Sequence, residues 1–317
     1  MRKLSSIFFI ATITIIFGCD DIFEEDIDDA VIQLTYPLDG ATIESNVAHF
    51  AWENVEGATN YRIQVFSQQS QIVTDSLLSR NSFTQELLPG NYTWRVRAEN
   101  SAYSSEYSNQ RIFSLIETED LTHKQVILVS PLNNFYTNTN SVLCNWNNLD
   151  QAENYTFKLY RGANGGNLIH ESSVIQTSIV LNPEWLSSEG EYRWTVSATN
   201  EYSQTQTHSS RNILIDRSAP NVPELNQPQN NQTFPVSQNV NFSWSIEDYG
   251  IIQSSLEFTF EISNDEDFQN IIFTSSTNSR SVLRNFSNSG NYFWRVTAND
   301  AAGNVGSSSN SFKFKIE

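Results

Sequence analysis

The chain has 317 residues, with 36 acidic and 18 basic side chains, and its formal net charge is −18. This excess of negative charge repels phosphate groups, so it excludes a surface built to bind nucleic acid or to dock on anionic lipid. The only cysteines are Cys19 and Cys144. Because Cys19 belongs to an amino-terminal targeting segment, no disulfide is expected within the folded part, and each domain must rely on its apolar core.

The first 19 residues have the pattern of a secretory signal. A basic start precedes an apolar run over residues 7–17, which is too short to cross a bilayer because a spanning helix needs about 20 residues. Residues 16–19 resemble the bacterial lipobox, although Phe17 departs from the small or aliphatic residue that is usual there. The resemblance implies lipid attachment at Cys19. The alternative is an ordinary signal peptide that happens to contain a cysteine.

An acidic segment follows Cys19, with seven carboxylates within residues 20–29. Like charges at this density repel one another and keep a chain extended, so residues 20–30 are predicted to form a solvated tether that does not pack. The segment also resembles the export signal of surface-exposed lipoproteins in Gram-negative bacteria, whereas Asp20 by itself resembles an inner-membrane retention mark. We expect a lipid-anchored protein of the outer membrane that is exposed at the cell surface.

A short signature begins at Gly90, Gly190 and Gly290, and each copy follows an upstream tryptophan. In every copy Tyr, Trp, Val and Ala occupy alternate positions, and this period of two is typical of a half-buried strand. Three copies at even spacing predict three copies of one small all-β domain. The aromatic residues of this framework are Trp52, Tyr92, Trp94, Trp146, Tyr192, Trp194, Trp244, Tyr292 and Trp294.

Each copy resembles a fibronectin type III domain, with a Trp on the second strand, a Tyr-x-aliphatic strand after it, and then the signature. The clearest match is Leu87–Tyr92. The resemblance implies three tandem antiparallel β-sandwiches and gives the signature tyrosines the role of the tyrosine corner. Residues 299–304 are also similar to the terminal turn of bacterial Ig-like repeats. The expected segments are a signal peptide (1–19), a tether (20–30) and domains over residues 31–118, 119–219 and 220–317.

Four aromatic residues outside this framework are candidates for ligand binding: Trp185, Tyr103, Tyr107 and Tyr202. Trp185 lies shortly before the second signature strand, where it either caps the sandwich or stacks on a ligand. The tyrosines fall in loops after the first two signature strands. Such loops often carry recognition, and tyrosine there stacks on sugar rings or contacts a protein partner, unless it is simply exposed.

No catalytic motif is evident in the sequence. The four histidines (His49, His123, His170 and His208) are spread over different repeats and loops, and the usual nucleophile, zinc-protease and phosphate-binding motifs are missing. A carboxylate pair for glycoside hydrolysis depends on geometry and not on spacing, but a chain of three small domains leaves little room for a deep pocket. We predict a protein that is not an enzyme and needs no cofactor.

Two clusters of acidic and amide side chains, Asn264–Asp267 and Asn299–Asp300, could offer oxygen ligands to a calcium ion. Because Asp and Asn are also common turn formers, we predict turns at both places and no metal site. The expected function is a lipid-anchored adhesion or scaffold stalk that binds an extracellular protein. The alternative is a glycan-binding accessory protein of a polysaccharide-uptake system. We expect a monomer in either case.

Overall fold

The computed structural model describes residues 24–162, 166–247 and 250–317. The predicted signal peptide and Cys19 lie outside the described residues. Throughout the described ranges the chain forms strands, turns and loops, and those ranges contain no helix that could span a membrane.

The described residues contain twenty-four strands, which fall into three sets of eight. Domain 1 contains β1 (Leu34–Tyr36), β2 (Ala41–Ile43), β3 (Val47–Trp52), β4 (Asn60–Ser67), β5 (Ile72–Leu78), β6 (Ser82–Glu86), β7 (Gly90–Glu99) and β8 (Arg111–Leu115). Domain 2 contains β9 (Leu128–Ser130), β10 (Phe135–Thr137), β11 (Val142–Trp146), β12 (Asn154–Arg161), β13 (Asn167–Val174), β14 (Ser178–Leu181), β15 (Gly190–Thr199) and β16 (Ser209–Ile215). Domain 3 contains β17 (Glu224–Gln227), β18 (Gln232–Phe234), β19 (Asn239–Ser245), β20 (Leu256–Ser263), β21 (Ile271–Thr277), β22 (Ser281–Asn285), β23 (Gly290–Asp300) and β24 (Phe312–Ile316).

Each domain packs a three-stranded sheet against a five-stranded sheet. In domain 1 the strand orders are β1-β3-β6 and β2-β8-β7-β4-β5, and the other two domains repeat both orders. Within each five-stranded sheet three pairs are antiparallel. The fourth pair, β2 with β8 and its counterparts, is parallel. This arrangement confirms three tandem fibronectin type III-like sandwiches.

The alternating signature residues form the inner face of each long central strand. Along β7 the residues Tyr92, Trp94, Val96 and Ala98 are buried, while those between them are partly exposed. The same alternation places the equivalent residues of β15 and β23 in separate cores. Three core clusters therefore exist, one in each sandwich. Burial of these large aromatic side chains contributes strongly to folding, since stabilisation scales with the apolar area removed from water.

The signature tyrosines bond back to the chain that precedes their own strand. The hydroxyl of Tyr92 donates to the carbonyl of Leu88 at 2.8 Å, and Tyr192 and Tyr292 make the equivalent bonds four residues upstream. Each bond fixes the arch that leads into the central strand.

The six framework tryptophans are all buried, and none of their indole N–H groups has a hydrogen-bond partner. These side chains are Trp52, Trp94, Trp146, Trp194, Trp244 and Trp294. They stabilise the cores as large apolar bodies, because a buried donor without an acceptor costs free energy rather than contributing it.

Part of the acidic segment packs on domain 1, contrary to the prediction of a free tether. Ile27 is buried in the core of domain 1. The Glu25 carbonyl accepts a hydrogen bond from Asn100 Nδ2 at 2.8 Å, and the Glu24 carboxylate accepts one from the Ser101 hydroxyl at 2.6 Å. The charge count missed this docking because one apolar residue inside the run finds a place in the core.

The chain divides into two compact units. One contains domain 1 without residues 44–47, and the other contains those four residues together with domains 2 and 3.

Candidate functional site

Trp185 lies in the connection between β14 and β15, where it is half-buried against the core of domain 2. One face of its indole stacks on the imidazole of His170, with ring centroids 3.7 Å apart and planes 23° apart. Burial lowers the pKa of His170, so its imidazole stays neutral over a wider pH range. With one face covered by His170 and its body against the core, Trp185 acts mainly as a cap on the sandwich.

Tyr103 and Tyr202 project from equivalent loops that follow β7 and β15. Asn100 Oδ1 accepts the backbone N–H of Tyr103 at 2.8 Å, and Asn200 Oδ1 accepts that of Tyr202 at 3.1 Å. The side chain of Tyr202 is 76% exposed and that of Tyr103 is 36% exposed. Both loops are thus held by one asparagine and present an aromatic ring to solvent.

Trp185 and Tyr202 do not form one site. Trp185 precedes β15 and Tyr202 follows it, and the strand between them has ten residues. At a rise of about 3.3 Å per residue the strand separates the two by roughly 30 Å. A small ligand that contacts one aromatic ring of domain 2 therefore does not reach the other.

Tyr107 lies in the loop between β7 and β8, as the sequence predicted, and its ring packs against arginine side chains of β7. The guanidinium carbon of Arg95 lies 4.1 Å from the centroid of the Tyr107 ring, and that of Arg97 lies 5.1 Å from it. The Gln64 Oε1 atom accepts hydrogen bonds from Arg95 on the same face. Tyr107 is consequently held by two cation–π contacts and is half-buried.

An ion-pair network continues this outer face of domain 1. Arg62 contacts both Asp75 and Glu99 at 2.9 Å, and Arg97 contacts Glu99 at 2.8 Å. A hydrogen bond from Gln64 lowers the pKa of the Asp75 carboxyl, and Arg62 lowers it further. Because these groups are partly exposed, the network mainly orders the surface and adds little to stability.

The clearest feature that the sequence analysis missed is at the edge strand of each five-stranded sheet. Strands β5, β13 and β21 occupy equivalent outer positions, and near the start of each stand two adjacent aliphatic residues. These residues are between 39% and 56% exposed. They are Ile72 and Val73, Leu168 and Ile169, and Ile271 and Ile272. Their signal in the sequence is a pair of adjacent aliphatic residues at the same place in each repeat.

A register irregularity accompanies each aliphatic pair. It falls between Val65 and Phe66 in domain 1, between Leu159 and Tyr160 in domain 2, and at the matching position in domain 3. Such bulges increase the local twist and weaken uncontrolled pairing with other strands. The free edges are therefore apolar and partly protected.

The acidic cluster Asn264–Asp267 forms a turn. The carboxylate of Asp265 accepts backbone N–H bonds from Gln269 at 2.9 Å and Asn270 at 2.7 Å. These bonds lower the pKa of the Asp265 carboxyl. Within the described residues no three or more His, Cys, Asp or Glu side chains are grouped so as to hold a metal ion. Cys144 is buried, and burial raises the pKa of its thiol, which makes it unreactive.

No protein-family model matches the sequence, and no curated protein matches it. Among solved structures, the chain is similar to the FN1–FN3 domains of chicken CNTN1, with 16% identity, coverage of 90% of this chain and 97% of that one, and a TM-score of 0.44. It is also similar to fibronectin(III)-like modules of Clostridium thermocellum CbhA (14% identity, 61% and 93% coverage, TM-score 0.37). Domains A168–A170 of titin give 12% identity, 90% and 99% coverage and a TM-score of 0.37. The fold assignment itself depends on the strand order and the three cores described above.

Proposed function

We propose that the protein is a non-catalytic, lipid-anchored scaffold or adhesion protein of the cell surface, and that it binds a protein partner along the free edges of its five-stranded sheets. The observation that carries this proposal is the exposed aliphatic pair at the same edge position in all three domains. Threefold repetition argues against chance exposure of single apolar residues, which is ordinary on protein surfaces.

An edge strand offers two kinds of contact to a partner. Its outward N–H and C=O groups are free to pair with an extended segment, and its exposed side chains add apolar contact at alternate positions. In domain 1 the edge strand β5 continues past Ile72 and Val73 to Leu77, which is also exposed. A partner strand laid along β5 would thus meet apolar side chains at both ends of the strand.

Lysine substitution on the edge tests this proposal. A charged side chain at a sheet edge blocks strand addition while remaining compatible with folding. We expect Val73→Lys, Ile169→Lys and Ile272→Lys together to abolish capture of surface proteins by the immobilised chain, with the captured proteins identified by mass spectrometry. The matched control is Ile112→Lys on β8, which is equally exposed but lies inside the sheet order.

Equal capture by the edge variant and the unmodified chain would contradict the proposal. Equal loss in the edge variant and the Ile112→Lys control would also contradict it, because the effect would then come from charge and not from position. Circular dichroism of each variant verifies that the sandwiches remain folded.

The cell-surface anchor is supported by the lipobox-like residues 16–19 and the acidic segment after them. We expect labelled fatty acid to be incorporated into the chain and Cys19→Ala to abolish incorporation. Protease treatment of intact cells should remove the three domains. A chain that carries lipid but resists the protease would contradict exposure at the cell surface.

A second candidate function is glycan binding, which the exposed ring of Tyr202 favours. Sugar rings stack on exposed aromatic faces. Affinity electrophoresis in polysaccharide gels distinguishes the two functions. Retardation of the unmodified chain that is lost in Tyr202→Ala would support glycan binding. Trp185→Ala provides an independent comparison, since Trp185 lies at the other end of domain 2.

A further inference from the structure

Domains 2 and 3 lie in one compact unit, and a set of polar contacts joins them. The backbone N–H of Asn138 donates to the carbonyl of Ala302 at 3.0 Å, and Asn138 Nδ2 donates to Asn304 Oδ1 at 3.1 Å. Asn304 Nδ2 in turn donates to the backbone carbonyl of Asp216 at 2.9 Å. Asp216 follows β16, the last strand of domain 2, so these bonds connect the end of one domain to a loop of the next.

The side chain of Asp216 is buried in this joint without full hydrogen bonding. The residue has no exposed surface. Its Oδ1 atom accepts the backbone N–H of Ser218 at 3.3 Å, whereas its buried Oδ2 atom has no hydrogen-bond donor. Burial of a carboxylate oxygen without a donor or a positive charge is strongly unfavourable, so this atom requires an explanation.

A second carboxylate lies in the same joint. Asn304 Nδ2, which donates to the Asp216 carbonyl, also donates to Asp300 Oδ2 at 2.9 Å. Burial raises the pKa of the Asp216 carboxyl, and the charge of Asp300 raises it further, against weaker hydrogen bonds from Ser218 and Ser254 that lower it. Two neighbouring carboxylates in a buried place repel each other unless a cation or a proton lies between them.

We propose that Asp216 and Asp300 bind a calcium ion at the joint between domains 2 and 3, with Asp216 Oδ2 as one ligand atom. Calcium takes six to eight oxygen ligands and accepts carboxylate, amide, backbone and water oxygens together. Two carboxylates meet that requirement when neutral oxygens and water complete the shell. The bound cation balances the negative charge of Asp216 and gives its buried Oδ2 atom a partner.

This site is specific to the joint between domains 2 and 3. Strand registers place Ile116 of domain 1 at the position of Asp216. Ile116 follows Leu115, which pairs with Gly90, and Asp216 follows Ile215, which pairs with Gly190. Asn100 and Asn200 occupy the position of Asp300, one residue after the matching β-bridges. The position of Asp216 is thus aliphatic in domain 1, and the position of Asp300 is an amide in domains 1 and 2. The acidic pair therefore occurs only at the joint between domains 2 and 3 among the described residues.

Thermal unfolding of the full chain with millimolar CaCl₂ or with excess EDTA tests the proposal. We expect calcium to raise the midpoint of the transition of domains 2 and 3, because a ligand that binds only the folded state stabilises it. Asp216→Asn keeps the shape of the side chain and removes its charge. We expect this variant to have a higher midpoint than the unmodified chain in EDTA, and to bind calcium at least about tenfold more weakly in titration calorimetry.

Asp300→Asn is a second variant that installs the residue found in domains 1 and 2, and it should also remove the calcium response. Asp265→Asn is the control, since Asp265 caps a separate turn of domain 3, and it should retain the response. The proposal is overturned if the unmodified chain melts at the same temperature in CaCl₂ and in EDTA. It is also overturned if Asp216→Asn and Asp300→Asn both keep the full shift.

Discussion

The central strands of domains 1 and 3 are almost identical on one side and different on the other. On the inner side, β7 and β23 both present Tyr, Trp, Val and Ala in the same order, and all eight residues are buried. On the outer side each strand carries an arginine at the position after the tryptophan, but its surroundings differ. Arg95 lies over Tyr107, which comes from the segment after β7, whereas Arg295 lies 4.1 Å from the ring of Phe268, between β20 and β21.

This contrast shows how differently the two sides are constrained. An inner side chain must fit among close-packed neighbours from two sheets, so its size and shape are restricted. An outer guanidinium needs only a ring and an acceptor. Arg95 uses Tyr107 and Gln64, and Arg295 uses Phe268 and Glu261. Function can therefore change on the outer side without cost to the core.

The largest expected effect is in the shared core. Trp94→Ala and Trp294→Ala should each reduce the free energy of unfolding of their own domain by about 4 kcal/mol, because a large cavity replaces the indole. Chemical denaturation followed by tryptophan fluorescence measures both. Trp94→Phe should cost clearly less, since the indole N–H has no partner to lose. A large difference between the two alanine variants would contradict the equivalence of the inner sides.

The next effect concerns the loop residue that differs between the domains. In domain 1, Asn100 Nδ2 donates to the carbonyls of Glu25 and Gly57. Asn100→Asp removes both bonds and places a charge against two carbonyl oxygens, so it should destabilise domain 1 by about 2 kcal/mol. Urea denaturation measures this loss. An unchanged midpoint would mean that residues 24–30 do not depend on Asn100 for their docking.

A smaller effect is expected from the tyrosine corners. Tyr92→Phe and Tyr292→Phe each remove one hydroxyl bond, to Leu88 and to Asn288. The expected cost is about 1 kcal/mol in each domain, measured by calorimetry. A much larger loss of stability in one domain would contradict the equivalence of the two tyrosine corners, whose hydroxyl bonds have matching geometry.

The smallest effect is a pH dependence of domain 1 that comes from its outer face. The pKa of Asp75 is lowered in the folded state, first by Gln64 and then by Arg62. Its contribution to stability is therefore present above the unfolded-state pKa and is lost as the pH falls through the lower folded-state value. Between about pH 5 and pH 2 the free energy of unfolding of domain 1, measured by urea denaturation, should fall more in the unmodified chain than in Asp75→Asn. The difference should be smaller than about 1 kcal/mol, because the Asp75 carboxyl is partly exposed.

The sequence was sufficient for the framework because alternation of large apolar residues reports directly on the buried side of a strand. Trp94 and its counterparts lie where the pattern put them. Contacts between distant residues were not readable in this way. The loop position of Tyr107 was predicted but its packing on Arg95 was not, and Ile27 was assigned to a tether, yet it enters a core. Asp216 and Asp300 are 84 positions apart, so only the folded joint brings them together.

The parallel pairing of β2 with β8 has a mechanical consequence. The strand near the start of domain 1 and the strand at its end run side by side in the same direction, and the second and third domains repeat this arrangement. Tension applied to the two ends of such a module drags these strands past one another, and their hydrogen bonds resist together instead of opening one by one. Each module would for that reason resist a pulling force better than one whose end strands separate bond by bond.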